Sequence, residues 1–153
     1  MGYKQLFCAE NARMTLHSMS GDQLFTHALI SFGQNGRKIV RNLQLLQSKN
    51  PSHVVKNKVN SADANFKLLS QLVGKLQSNA KKRRNNTGIV TKINKEAKDF
   101  RDNIQDVINA DSALGNDNQV AQAFKDLQAA SGTFFEDISI IVSEINKQTS
   151  KSV

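Results

Sequence analysis

A chain of 153 residues with one proline, eight glycines and 39% hydrophobic residues is long enough for one domain with its own core. Its single cysteine, Cys8, excludes an internal disulfide and gives no metal cluster. The lack of tryptophan, with only one tyrosine, argues against an aromatic platform for stacked bases. The formal charge of +8 is unevenly placed: residues 51–84 carry +7, residues 20–50 carry +3 and residues 1–19 carry +1, against −1 for residues 85–115 and −2 for residues 116–153. Such asymmetry points to an anionic partner or a polar assembly contact.

Residues 1–19 form an N-terminal segment, a short helix or a loose arm, with Leu6, Phe7 and Met14 apolar. The segment lacks the apolar core of a signal peptide, and Gly2 is followed by Leu6 where myristoylation requires serine or threonine. No stretch is long and apolar enough to span a bilayer, so the expectation is a soluble cytoplasmic or nuclear protein.

The first helix is expected over residues 21–49. Ser20 and Gln23 have capping-box spacing, and Met19 with Leu24 can form a hydrophobic staple. Phe25, Leu29, Phe32, Gly36, Ile39, Leu43 and Leu46 then step by 4 and 3, the seam of a helix buried on one side. Gly33 and Gly36 each lower helix propensity by about 1 kcal/mol against alanine, so packing must tolerate them or the helix bends there.

Asn50 as cap and Pro51 in the first turn open the second helix, over residues 51–84. Its seam is Val55, Val59, Ala62, Phe66, Leu69, Val73, Leu76 and Ala80. Lys81, Lys82, Arg83 and Arg84 close it, where cations suit the carbonyl end of the dipole. Residues 85–88 are the turn. The third helix, residues 88–114, has the seam Val90, Ile93, Ala97, Phe100, Ile104, Val107, Asp111 and Leu114. Asp111 is its misfit, placed in the last turn where fraying can bring it to water. Asn116 with Gln119 offers a capping box for the fourth helix, residues 117–147, whose seam is Val120, Phe124, Leu127, Ser131, Phe134, Ile138, Ile141 and Ile145. Residues 148–153 are a polar tail.

No self-similarity with a period of about 20–50 residues is visible beyond the shared heptads. Four seams of similar length, joined by short turns, predict an all-α, antiparallel up-down-up-down four-helix bundle, with room for a short fifth helix at the N-terminus. Gly36 and Ser131 fall mid-seam, as do Phe66 and Phe100, so small residues facing large ones should fill the central layer.

The most concrete functional signal is cationic. Lys67 and Lys75 on the outer face of the second helix, with the run Lys81, Lys82, Arg83 and Arg84, would bind nucleic-acid phosphates in a salt-dependent, sequence-independent way. The same run also fits a nuclear localisation signal, an anionic membrane surface or a solvated helix end. A second signal lies in the fourth helix, where Phe135, Ile140 and Val142 stand off the main seam. They would be covered by the N-terminal segment, or form a self-association surface or a lipid- or partner-binding face. That alternative is architecturally similar to the exchangeable apolipoproteins, on amphipathic phrases such as residues 123–129.

His27 lies outside the first seam and faces solvent. On residues 27–36 (HALISFGQNG) this placement resembles the phospho-accepting histidine of histidine-containing phosphotransfer domains. That resemblance implies phosphotransfer through His27. The family has a lysine three residues after the histidine and a small residue next; here stand Ile30 and Ser31. Enzyme signatures are otherwise absent: there is no P-loop, no Gly-rich dinucleotide turn and no paired Glu-x-x-His. His17 and His53 have no metal partner at ligand spacing. Asp99, Asp102 and Asp106 form an acidic stripe interleaved with Lys95 and Lys98, which reads as surface ion pairs. The chain is therefore expected to be a non-enzymatic binding or structural protein without metal or cofactor, its basic face toward an anionic partner and its fourth helix open to a homo-oligomer or protein contact.

Overall fold

Four heptad seams become four helices because each has one apolar stripe to bury and polar residues on the rest of its surface. The computed structural model describes residues 21–82, 84–111 and 117–151, with side chains through residue 147. The expected N-terminal segment over residues 1–19, Arg83 and Leu114 lie outside the described residues. The helices are α1 (Gly21–Lys49), α2 (His53–Lys81), α3 (Thr87–Asp111) and α4 (Asn118–Lys151), and they form an antiparallel four-helix bundle.

The helix starts differ from the sequence expectation for local reasons. Ser52, in extended backbone, caps α2 by accepting a hydrogen bond from the Val54 N–H at 3.2 Å, so the helix begins at His53 rather than at Pro51. Asn50 serves α1 instead: its N–H bonds back to the Leu46 carbonyl at 3.1 Å. Asp117 caps α4, accepting from the N–H groups of Gln119 at 2.8 Å and Val120 at 3.2 Å; Asn116, the expected cap, and Ser20, the expected cap of α1, lie outside the described residues. Asn85 opens α3 by accepting from the Thr87 N–H at 2.9 Å. At the far end α4 runs to Lys151, past the expected limit at 147.

All four seams point inward. Phe32, Phe66, Phe100 and Phe134 meet at mid-height, one from each helix. Phe32 stacks on Phe134 with ring centroids 4.8 Å apart, and Phe100 meets Phe134 edge-on at 5.2 Å. Phe66 lies 6.0 Å from Phe32, 6.4 Å from Phe100 and 5.9 Å from Phe134. These four positions are spaced by 34 residues, so each helix with its connection advances the chain by one constant length and returns a phenylalanine to the same level. Gly36 makes room for this layer. A Cβ built on it would lie 2.0 Å from Cε1 of Phe66, so the centre is filled by packing rather than left as a cavity.

The closest neighbours are α1 with α4 and α2 with α3. Ala28 and Ser31 on α1, with Ala123 and Ala130 on α4, are buried, and their small side chains let the first pair approach closely. Polar contacts fix the register of each pair. Lys49 reaches Asp117 at 3.2 Å between α1 and α4. Between α2 and α3, Lys58 reaches Asp106 at 2.9 Å, and Asn65 joins Glu96 at 2.9 Å and Asn103 at 2.7 Å.

Three acids are buried, Asp111, Asp137 and Glu144, the last of which meets the Lys147 ammonium at 3.3 Å. Asp111 does not fray to water: it is 0% exposed, because the Asn50 amide donates to its carboxylate at 2.6 Å across to the α1–α2 connection. Burial pushes its carboxyl up and the Asn50 hydrogen bond acts against that. Asp137, on the α4 flank toward α1, is 2% exposed and one of its oxygens has no hydrogen-bond partner. Burial pushes its carboxyl up to about 7; the hydrogen bond from Ser31 opposes this and the neighbouring Glu136 charge reinforces it.

Gly36→Ala should destabilise the bundle by roughly 1–3 kcal/mol in urea unfolding, and adding Phe66→Leu should recover part of the loss. A Gly36→Ala protein more stable than the parent, as helix propensity alone would give, would contradict the packing. Asp137 has a folded pKa above its unfolded value, so it binds its proton more tightly when folded. Its favourable contribution is complete below about pH 4 and is lost as pH rises through about 7. Asp137→Asn, which copies the protonated shape, should reduce that fall and be more stable at pH 8 by roughly 1–4 kcal/mol. Asp111 contributes with the same sign, so a residual slope should remain.

Candidate anion-binding face

The charge asymmetry of the sequence becomes an asymmetry of the bundle. Helices α1 and α2 together carry nine lysines and arginines against two aspartates, net +7. Helices α3 and α4 carry seven against nine acids, net −2. Because α1 packs on α2 through Gly36 and Phe66, one side of the bundle is basic. The opposite side, where Arg101 of α3 lies over the Phe135 ring of α4 at 4.4 Å, is close to balanced.

The cationic turn is held by the end of α2. The Lys82 N–H donates to the carbonyls of Ser78 at 3.3 Å and Asn79 at 3.2 Å, and the Arg84 N–H donates to Asn79 at 3.0 Å. These bonds satisfy the last carbonyls of the helix and fix where its cations emerge. Lys75, Lys81, Lys82 and Arg84 are exposed, and among the described residues none has an ion pair. Arg83 lies outside the described residues. Lys67 differs: it is exposed but paired with Asp63, one turn away at 2.9 Å. An exposed pair of this kind is weak, so the lysine can exchange it for a phosphate.

Sequence reasoning missed the contribution of α1 to this side. Arg37, Lys38 and Arg41 are exposed, as is Lys56 on α2, and none carries an ion pair among the described residues. The signal was present in the charge of residues 20–50, but which helix neighbours which had to be known before those cations could be added to the face.

The acidic stripe of α3 is saturated with lysine. Lys95 reaches Asp99 at 3.2 Å, Lys98 reaches Asp102 at 3.0 Å and Lys58 takes Asp106. Hydrogen bonding to Asp102, then its charge, holds the Lys98 ammonium above its usual pKa. Among the described residues no three histidines, cysteines or acids are grouped as metal ligands would be. His27 is exposed on α1, in a depression lined by Asp22, Gln23, Thr26 and Ile30; among the described residues that line it there is no lysine or arginine of the kind a phosphoryl group would need.

The three off-seam residues of α4 are not one surface. Phe135 is 7% exposed: it meets Phe134 at 5.3 Å and Phe100 at 6.1 Å, with the Arg101 guanidinium as its cover. It belongs to the core rather than to a partner or lipid face. Ile140 and Val142 are half-buried, and Val142 lines an open groove of about 680 Å³ between α3 and α4 with Asn94, Ile138 and Asn146. Among the described residues no helix is long and apolar enough to cross a membrane. No protein-family model, curated protein or solved structure matches this chain.

A core role for Phe135 has a direct consequence. Phe135→Ala should cost about 3 kcal/mol of stability in denaturant unfolding, whereas Val142→Ala should cost less. Equal and small losses at both positions would return Phe135 to the surface.

Proposed function

We propose that the chain is a non-catalytic binding module whose basic side and α2–α3 turn hold an anionic partner, nucleic acid first. The supporting observation is the division of charge, +7 on α1 and α2 against −2 on α3 and α4, within one bundle. Clustered cations release condensed counterions when they meet phosphates, so affinity arises without base recognition and falls steeply with salt. Exposed and unpaired among the described residues, Lys75, Lys81, Lys82 and Arg84 lose no internal ion pair on binding.

A labelled oligonucleotide should be retained at low salt and released toward physiological salt. Replacing Lys75, Lys81, Lys82 and Arg84 with glutamate should abolish retention while the helical circular-dichroism signal persists. Absence of retention by the parent protein at low salt would remove the proposal.

A further inference from the structure

We infer that the polyanion is a nucleic-acid duplex, held by its phosphates along the outer groove between α1 and α2. This rests on the anionic-partner reading above and sharpens it.

The argument begins with helix geometry. Gly36 touches Phe66, so these residues mark where α1 and α2 face each other. At about 100° per residue, Arg37 and Arg41 fall about 100° and 140° round α1 from Gly36. They lie on the flank opposite Ser31, which faces Asp137 of α4. On α2, Lys56, Lys67 and Lys81 fall about 80°, 100° and 60° round from Phe66, and Asp63, paired with Lys67 at 2.9 Å, falls about 60° round among them, so that pair adds no net charge. Their flank is opposite Lys58 and Asn65, which reach α3. The two cationic flanks therefore border one groove. From Lys56 to Lys81 it runs about 37 Å, the length of roughly 11 stacked base pairs. Lys75 stands on the outer crest of α2 beside it.

Among the described residues the groove offers charge and no phenylalanine, tyrosine or tryptophan to stack on. All seven described phenylalanines are buried or half-buried, at positions 25, 32, 66, 100, 124, 134 and 135. A single strand on this surface would leave its bases in water without an aromatic partner, where single-strand binders supply one. A duplex keeps its bases stacked on each other and presents phosphates outward. Its regular phosphate spacing also suits cations whose separation is set by two locked helices, whereas a flexible strand would lose entropy to match them.

Fluorescence anisotropy across a salt series tests this with the full chain. The probes are a duplex of about 20 base pairs, an oligothymidine strand of equal total charge, and phosphatidylserine vesicles as competitor. The duplex should bind about tenfold more tightly than the strand. Its affinity should fall with a log–log salt slope of about −4 to −5, the value for five phosphates met by Arg37, Arg41, Lys56, Lys75 and Lys81. Arg37→Glu with Arg41→Glu should reduce that slope by about 2, and Lys92→Glu on α3 should leave it unchanged. Both variants change exposed side chains, so a retained helical spectrum confirms that they fold. Equal or tighter binding of the single strand would overturn the duplex inference while leaving the anionic-partner reading intact. An unchanged slope in the Arg37/Arg41 variant would overturn the groove. Displacement of duplex by vesicles at equal anion concentration would replace it with a membrane surface. Failure of both oligonucleotides to bind at low salt would remove the underlying reading itself.

Discussion

The contact between Gly36 and Phe66 determines how the rest of the bundle is arranged. With no side chain at Gly36, the Phe66 ring fills space that any Cβ would occupy, and α1 and α2 are drawn together at that level. Phe32, Phe100 and Phe134 close round the same ring. One aromatic layer thus fixes the height of all four helices. The constant spacing of 34 residues between its members shows that helix and connection lengths are matched to it. Glycine is costly in a helix interior, and its presence at this point is explained by the volume of the ring it faces.

From that layer the charge distribution follows. Two close pairs, α1 with α4 and α2 with α3, are held in register by polar contacts along their flanks. Asn65 bridges Glu96 and Asn103, and a slip of α2 along α3 would break both bonds. On the other pair, Lys49 with Asp117 and Ser31 with Asp137 serve the same end, although Asp137 is held there against the cost of burying a carboxyl. Polar groups in such positions favour one register over its alternatives. With registers fixed, the aromatic layer sets α1 beside α2. The two helices richest in cations then form one side, and those whose lysines and acids balance form the other.

Much of the architecture was legible in the sequence. The unbroken steps of 4 and 3 from Phe25 to Leu46 and from Val120 to Ile145 specify helices and their buried stripes, and the small Gly36 opposite the large Phe66 specifies a filled centre. Features that depend on tertiary neighbours were not legible. Asp111 looks like a frayed end until Asn50 arrives from a connection 61 residues away in sequence. Phe135 looks exposed until Arg101 covers it. The start of α2 depended on whether Asn50 or Ser52 turned its side chain to the helix, a choice made by the pull of Asp111 on Asn50. A weaker signal was available for the α1–α4 contact: Ala123, Ala130, Asp137 and Glu144 repeat every seven residues beside the main seam of α4, and the two alanines mark a close approach. The cationic run was visible as a run, but Arg37 and Arg41 join it only once α1 is placed against α2.

We propose that anion binding belongs to one side of the bundle. Backbone amide chemical-shift mapping on titration with a nucleic-acid duplex tests it most directly, because every described helix reports at once. Shifts should concentrate around Arg37, Arg41, Lys56, Lys75 and Lys81, with α3 and α4 largely unmoved. Shifts centred on α3 and α4, or spread evenly over all four helices, would contradict it.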